Sequence, residues 1–373
     1  MKKVLIVQRG VTHYRKLLFE FIEAQGEYSI DVVSIGDKEE HKGNVYTFSS
    51  QELFQYKNYK LRRSKGMIDF VKRNCNSYDF IILEGATNLI NNIPICKYLI
   101  SHNKSYLIWD AGRRKNSKMS FLRRIAQGRL EYVWKNASGI IAYSTLAKKY
   151  FSDIGIPDSK IFVCQNTLYV GGFDRQIQET SDFDISKIKK RYAPNGEKIV
   201  LYVGAVEARK RITDLVEAFK IIHGKKPNTS LIIIGGGEQL EELRENVKEI
   251  KNCYVTGAII EGVIPYFMAA DVFALPSEGG LSLNQAMITG KPVIASSADG
   301  TELDLIDDGK NGYLFEETNI KQMAERILDV ISDDAICSAM GRHSREIIDQ
   351  KVNENQFYIN FKHCLEFVEQ SRK

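Results

Sequence analysis

Short apolar runs alternate with longer stretches whose apolar residues recur at helical spacing. In the first half the runs are VLIV (4–7), DVVSI (31–35), FIIL (80–83), SYLIW (105–109) and GIIAY (139–143), with helical stretches near 13–24, 88–101, 119–136 and 145–153. Runs this short and this continuously apolar suit strands buried on both faces, and the helices between them supply parallel crossovers. Between Leu168 and Glu197 the alternation stops, in a stretch bearing Gly, Asp and Ser with one helical piece near 184–192.

A second series follows: IVLYVG (199–204), SLIIIGGG (230–237), CYVTG (253–257), DVFALP (271–276) and PVIAS (292–296), with helical stretches at 211–223, 238–249, 262–269 and 281–289. The pattern predicts an α/β protein of two Rossmann-like domains, 1–170 and 171–353, the second opening with a linker at 171–197. From about 319 to 370 the chain reads as helical, with Met323, Ile327, Leu328 and Ile331 at helical spacing. The final helix, about 354–373, is expected to pack back on the first domain. Ligands of such sheets bind beyond the carboxyl ends of the strands, so the site is expected between two facing domains.

Composition narrows the classes. With 373 residues, 43% hydrophobic and 27% charged, the chain can fill two ordinary cores and falls among soluble globular proteins. Six cysteines, at 75, 96, 164, 253, 337 and 364, show neither a C-x-x-C pair nor metal-ligand spacing. They read as buried thiols of a reducing, cytoplasmic compartment. The opening MKKVLIVQRG reads as a first strand, its apolar run being too short for a signal peptide, and no run reaches membrane-span length.

Charge is unevenly placed. Residues 1–170 hold 27 Lys and Arg against 15 Asp and Glu, and the remainder 25 against 32. A basic first half suits an anionic membrane surface or a lipid-diphosphate acceptor, although an uneven solvated surface explains any single cluster as well. No nucleic-acid reader module is recognisable, and no nucleic-acid partner is expected.

The chemistry concentrates in Pro276–Phe315, PSEGGLSLNQAMITGKPVIASSADGTELDLIDDGKNGYLF. A buried strand ends there in an acidic, glycine-bearing turn, and a helix begins near Leu281. The N–H groups of Gly279, Gly280, Leu281 and Ser282 would point out of that helix start, a setting that suits a phosphate. Arg209, Lys210 and Arg211 directly follow another strand. A solvated basic turn is the ordinary reading of such a run.

The Pro276–Phe315 segment resembles the signature of family 4 retaining glycosyltransferases, P-S-x-x-E-G-F-G-L-x-x-L-E-A-M-A-x-G-x-P-V-I-A. The resemblance extends through YVGAVEARKRITDLVEAF (202–219), IIIGGGEQLEEL (232–243) and YVTGAIIEGVIPYFMAADVFALPS (254–277). At the other end it takes in the first strand with its Gly loop and VCQNTLYVGGFD (163–174). It implies a GT-B architecture, with a nucleotide-diphosphate sugar (UDP- or GDP-linked) on the second domain and a glycan or lipid-linked acceptor on the first. The implied activity is retaining, metal-independent hexosyl transfer in capsule, O-antigen or exopolysaccharide assembly.

By the same resemblance Lys210 matches the phosphate-binding lysine and Arg211 stands where the family has glycine, so function is the better reading for Lys210 and a solvated basic turn for Arg211. The second cation for the diphosphate must come from Arg209, from a first-domain residue such as Arg9, or from nowhere. Glu278, one step late in the loop, answers to the glutamate that contacts the transferred sugar, and Glu302 to a downstream glutamate, with a helix cap as its alternative. Gly10 and Gly204 mark the strand-end turns. Two positions depart from the family: Ala205 stands where an arginine usually follows Gly204, and Gln285 replaces the second glutamate. An amide at 285 can still hydrogen-bond a ribose hydroxyl, less strongly than a carboxylate.

In the first domain Asp110, opening DAGRRKN, is the carboxylate expected to meet the acceptor. His13 and Arg15 would lie near the ligand, with a helix-surface role as the ordinary alternative. KMSFLRRIAQGRLEYVWKN (118–136) reads as a helix packed on the sheet or laid on an anionic membrane. Asp182-Phe183-Asp184 has the D-x-D form of metal-dependent transferases but follows no buried strand, and no metal is expected. Two other classes remain open: a non-catalytic GT-B subunit binding glycan or polypeptide, and a nucleotide-sugar epimerase.

Overall fold

The computed structural model describes residues 1–8, 13–35, 59–61, 64–85, 89–112, 121–298 and 300–372. Its described residues divide into two compact units, one holding those up to Asn166 together with those from Glu354 onward, the other those from Thr167 to Asn353.

The first unit is built on seven parallel strands, β1 (Lys2–Gln8), β2 (Tyr28–Ile35), β3 (Tyr59–Leu61), β4 (Phe80–Glu84), β5 (Leu107–Asp110), β6 (Gly139–Ala142) and β7 (Ile161–Val163). Their order is β3-β2-β1-β4-β5-β6-β7, so the chain reverses direction across the sheet between β1 and β4. The helices α1 (His13–Ala24), α2 (Ser64–Asn74), α3 (Leu89–Ser101), α4 (Phe121–Lys135) and α5 (Thr145–Asp153) are the crossovers. Strand alternation divides the core in two. Leu5, Val7, Ile81, Leu83 and Ile108 point to one face and pack with Met67, Val71, Leu99, Leu130 and Trp134. Val4, Ile6, Phe80, Ile82, Leu107 and Trp109 point to the other, against Leu18, Phe19 and Ile22 of α1.

The second unit opens with two helices, α6 (Val170–Glu179) and α7 (Asp182–Tyr192), where the sequence pattern read a linker with one helical piece. Gly171 and Gly172 weakened the helical signal of α6, but burial of Val170 and Phe173 and a forked ion pair from Arg345 to Asp174 anchor it. At α7 the D-x-D is a helix start. Ser181 Oγ accepts the Asp184 N–H at 3.2 Å, and the Asp184 carboxylate accepts the Ser181 N–H at 3.1 Å, a reciprocal capping box.

Six parallel strands follow: β8 (Lys198–Val203), β9 (Thr229–Ile234), β10 (Cys253–Gly257), β11 (Val272–Leu275), β12 (Val293–Ser296) and β13 (Gly312–Phe315), in the order β10-β9-β8-β11-β12-β13. They alternate with α8 (Ile212–Lys225), α9 (Leu240–Val247), α10 (Ile264–Ala269), α11 (Leu281–Ile288) and α12 (Thr301–Leu305), and α13 (Ile320–Ile331) and α14 (Asp334–Lys351) complete the unit. Here the direction reverses between β8 and β11, and the carboxyl ends of those two strands carry the signature residues.

The chain then returns to the first unit as α15 (Glu354–Gln370), which packs on β6 and β7. Phe357, Phe361, Cys364, Leu365 and Val368 are buried in the Val4–Trp109 face. Each large side chain there contributes about 1.5–3 kcal/mol of burial. Gly139 lets α15 close in, since a Cβ at that position would lie 3.3 Å from Val368.

Candidate functional site

The turn after β8 and the loop after β9 press backbone against backbone. Val206 N–H donates to the Gly236 carbonyl at 2.8 Å, and a Cβ on Gly235 would sit 1.7 Å from the Gly204 oxygen. Gly237, at φ +156°, leaves 2.2 Å to the Val206 oxygen, so glycine is required there for space and for conformation. Gly204 is itself hemmed in: the Tyr202 hydroxyl would be 2.7 Å from a Cβ at 204 and donates to the Ala205 carbonyl at 2.9 Å. The sequence pattern named only Gly204 of this group; its partners Gly235 and Gly237 belong to the GGG that ends the β9 run.

Past Gly204 the chain makes a tight turn over Ala208–Lys210 and enters α8 through Arg211, which sits in the left-handed region at φ 51° where the family pattern has glycine. That geometry drives Lys210 inward. Lys210 is 8% exposed, and its ammonium donates to the Glu278 carbonyl at 2.8 Å and to the Gly279 carbonyl at 3.1 Å. Arg209 stays half-exposed, donating from Nε to Glu207 at 2.7 Å and from Nη1 to the Glu278 carboxylate at 3.1 Å. Burial works against its charge, but the Glu207 and Glu278 carboxylates more than offset this and hold its pKa above the ordinary value.

Residues far apart in sequence thus meet. Lys210 and Arg209, from the β8 turn, close on Glu278 and Gly279 from the β11 turn. Gly280, in extended backbone at φ −173°, then starts α11, and no side chain caps its first turn. The N–H groups of Leu281 and Ser282 therefore sit at an uncapped helix start beside two cations. Gln285, half-buried, is one turn further along α11. Glu302, fully buried, lies inside α12 after β12 and accepts the Gly300 N–H at 3.2 Å.

Asp110 is the last residue of β5. Strand alternation turns it away from α1, 1% exposed, where it accepts the Trp134 indole N–H at 3.2 Å and the Gly112 N–H at 3.0 Å. It lies so close to Gly85 that a Cβ there would be 2.0 Å from its Oδ2. Arg15, expected on a helix surface or near the ligand, is 6% exposed and lies over Trp109. Gly10 and the Arg-Arg-Lys run after Gly112 lie outside the described residues, as does the His13 side chain. No helix among the described residues is long and apolar enough to cross a membrane, and no group of three or more His, Cys, Asp or Glu among them could hold a metal ion.

Two Rossmann-like sheets with this element order define the fold of the GT-B glycosyltransferases, and solved structures agree. Anabaena Alr3699/HepE in complex with UDP superposes at a TM-score of 0.76 over 98% of this chain and 100% of that one, at 19% identity. A Staphylococcus aureus TarM mutant, complexed with fondaparinux, alpha-GlcNAc-glycerol and UDP, gives 0.67 over 98% and 100% at 14% identity. Residues 184–347, all within the second unit, match the family described as Glycosyl transferases group 1.

Among curated proteins the chain is similar to a poly(ribitol-phosphate) alpha-N-acetylglucosaminyltransferase of S. aureus, 25% identical over 315 residues, 76% of this chain and 61% of the relative. It is also similar to the capsular polysaccharide biosynthesis glycosyltransferase CapM of S. aureus, 27% identical over 199 residues, 50% of this chain and 52% of the relative. These matches span between half and two thirds of the relatives' own lengths.

Proposed function

We propose that the chain is a retaining, metal-independent glycosyltransferase that moves a hexose-type sugar from a nucleotide diphosphate to a glycan or lipid-linked acceptor in cell-surface polysaccharide assembly. The observation that carries this reading is the meeting of Lys210 and Arg209 with the Glu278–Gly279 turn at the uncapped start of α11. A diphosphate needs clustered cations and backbone N–H donors, and this turn provides both. Solved neighbours crystallised with UDP and with UDP-glucose favour UDP over GDP as the carrier.

In the proposed reaction the bond between the anomeric carbon and the diphosphate oxygen breaks with both electrons staying on the phosphate. The acceptor hydroxyl bonds to the same face of the sugar, and its proton passes to the departing phosphate. Negative charge grows where Lys210, Arg209 and the Leu281 and Ser282 N–H groups lie. Donor arrival requires Lys210 to exchange two carbonyl partners for phosphate oxygens, and Arg209 to release Glu278 toward the sugar. Gly279, Gly280 and Gln285 complete the donor site, and Asp110 is a positioning residue that holds the end of β5. The first domain, 1–170 with the 354–373 helix, is assigned the acceptor, and 171–353 the donor.

A groove of about 550 Å³ lined by Lys97, Ile100, Gly128, Arg129 and Tyr132 supports peripheral contact with an anionic membrane at the cytoplasmic face. Anionic vesicles should then sediment the protein where neutral ones do not.

Ala205 and Gln285 favour a second reading, a non-catalytic subunit. Purified protein incubated with a panel of nucleotide sugars tests the first reading by hydrolysis or transfer. Calorimetry that finds no nucleoside diphosphate bound at millimolar concentration would leave the scaffold in its place.

A further inference from the structure

Among the described residues, three buried N–H donors at the carboxyl edge of the first sheet have no acceptor. The parallel register sets Val7 beside Leu83, Glu84 beside Trp109 and Trp109 beside Ile141. Gln8 and Glu84, the last residues of β1 and β4, and Trp109, next to last in β5, therefore lie in one row on the α1 face, with Tyr143 just past β6. Arg15, in the first turn of α1, lays its guanidinium 4.1 Å from the Trp109 ring centroid and 5.4 Å from that of Tyr143. It donates one hydrogen bond, Nη2 to the Tyr143 hydroxyl at 3.1 Å. Arg15, Gln8 and Trp109 are 6%, 7% and 3% exposed, and Nη1, Nε2 and Nε1 respectively have no hydrogen-bond partner among the described residues. Among the described residues no carboxylate forms an ion pair with Arg15, although Glu84 shares its face.

Arginine stays charged wherever it is buried, and a buried donor without an acceptor keeps its full desolvation penalty, the more so when charged. A cation stacked on an aromatic face keeps its N–H groups in the plane of the fork, ready for a two-oxygen partner. The unfilled positions are all donors, so their complement is a group of acceptors. We propose that Arg15, with Gln8 and the Trp109 indole, binds an oxyanion carried by the acceptor, a phosphate or a carboxylate. Attribution to the acceptor rests on the glycosyltransferase reading; binding of the anion does not.

The chain has two tryptophans, so 5-fluorotryptophan labelling gives two ¹⁹F signals, assigned with Trp109→Phe. Glycerol phosphate or glycerate should shift the Trp109 signal saturably at millimolar concentration, while glycerol does not and the Trp134 signal stays still. Arg15→Gln should weaken the response about tenfold or more and Arg15→Lys less, both melting near wild type. The inference is overturned if neither anion moves Trp109, if glycerol moves it equally, or if Arg15→Gln melts near wild type and leaves the response intact. Saturation by UDP that glycerol phosphate cannot compete with would assign the site to the donor and also sink the acceptor proposal. In transfer assays Arg15→Gln should raise KM for a phosphate-bearing acceptor and leave UDP affinity unchanged. An anion response without any sugar transfer would instead refute the proposed activity and leave the site standing.

Discussion

The carboxyl edges of the two sheets hold their cations in opposite ways. In the second unit Lys210 and Arg209 are fully partnered by protein: two carbonyls take the ammonium, and two carboxylates take the guanidinium. In the first unit Arg15 is buried deeper, with an aromatic face and one hydroxyl for company. The first arrangement holds its cations in stand-in contacts that a ligand displaces, whereas the second leaves a deficit for a ligand to fill. A displaced partner lowers net affinity but keeps the empty site ordered; an unfilled deficit raises affinity at the expense of the empty protein's stability.

The largest test of this contrast is Lys210→Ala. It should lower sugar transfer about 10²–10³-fold in initial-rate assays, the usual loss for one donor to developing charge. Activity within a few-fold of wild type would remove Lys210 from the diphosphate site. Next, Gly235→Ala should cost about 3 kcal/mol in denaturant unfolding, because its Cβ has no room beside the Gly204 carbonyl. Gly280→Ala, extended and with nothing within 4 Å of its Cβ, should stay within about 0.5 kcal/mol of wild type. Equal losses would mean that the two turns are not packed as described.

The comparison sharpens further with paired methionine replacements. Lys210→Met should destabilise by about 1–3 kcal/mol, since it strands two carbonyls. Arg15→Met should leave stability unchanged or raise it by about 1 kcal/mol, since it removes a buried charge without an ionic partner. A loss at Arg15 as large as that at Lys210 would make the stack on Trp109 structural.

The smallest expected effect is acidic. Hydrogen bonds from Lys362, then Tyr358, hold the Glu27 carboxyl below its ordinary value. A carboxylate whose pKa is lowered by folding adds stability above its unfolded pKa and loses it as pH falls through the folded one. Glu27→Gln should therefore narrow the gap in melting temperature between neutral and mildly acidic buffer. At this exposed pair the effect is below about 1 kcal/mol. An unchanged gap would mean that the Glu27–Lys362 pair does not hold α15 in solution.

The α/β class was legible because each core strand is a continuous apolar run, which only a sheet covered on both faces makes stable. The cluster of Lys210, Arg209, Glu278 and Gly279 was legible as a resemblance, and its geometry was not, because pairing of β8 with β11 across the reversal is a tertiary fact. The α6 helix was hidden by Gly171 and Gly172, and its anchor, Arg345, lies 171 residues away from Asp174. Asp110 and Trp109 show the finest detail that went unread. They are adjacent, and strand alternation alone sends the carboxylate into one core face and the indole to the other. Reading SYLIWD with a period of two would have paired Trp109 with α1, but nothing local marks Arg15 as the residue that covers it.

The return of α15 has a consequence for synthesis. Asn360 donates to the Val163 carbonyl across 197 residues, and Phe357, Phe361 and Leu365 finish a core face begun by β1. At translation rates of about 5–20 residues per second, the first sheet waits roughly 10–40 s with that face incomplete while the second unit emerges. The second unit needs nothing that the ribosome has not already delivered by Asn353. The half of the molecule made first is thus the half completed last, and in that interval its exposed apolar face is the surface a chaperone would have to cover.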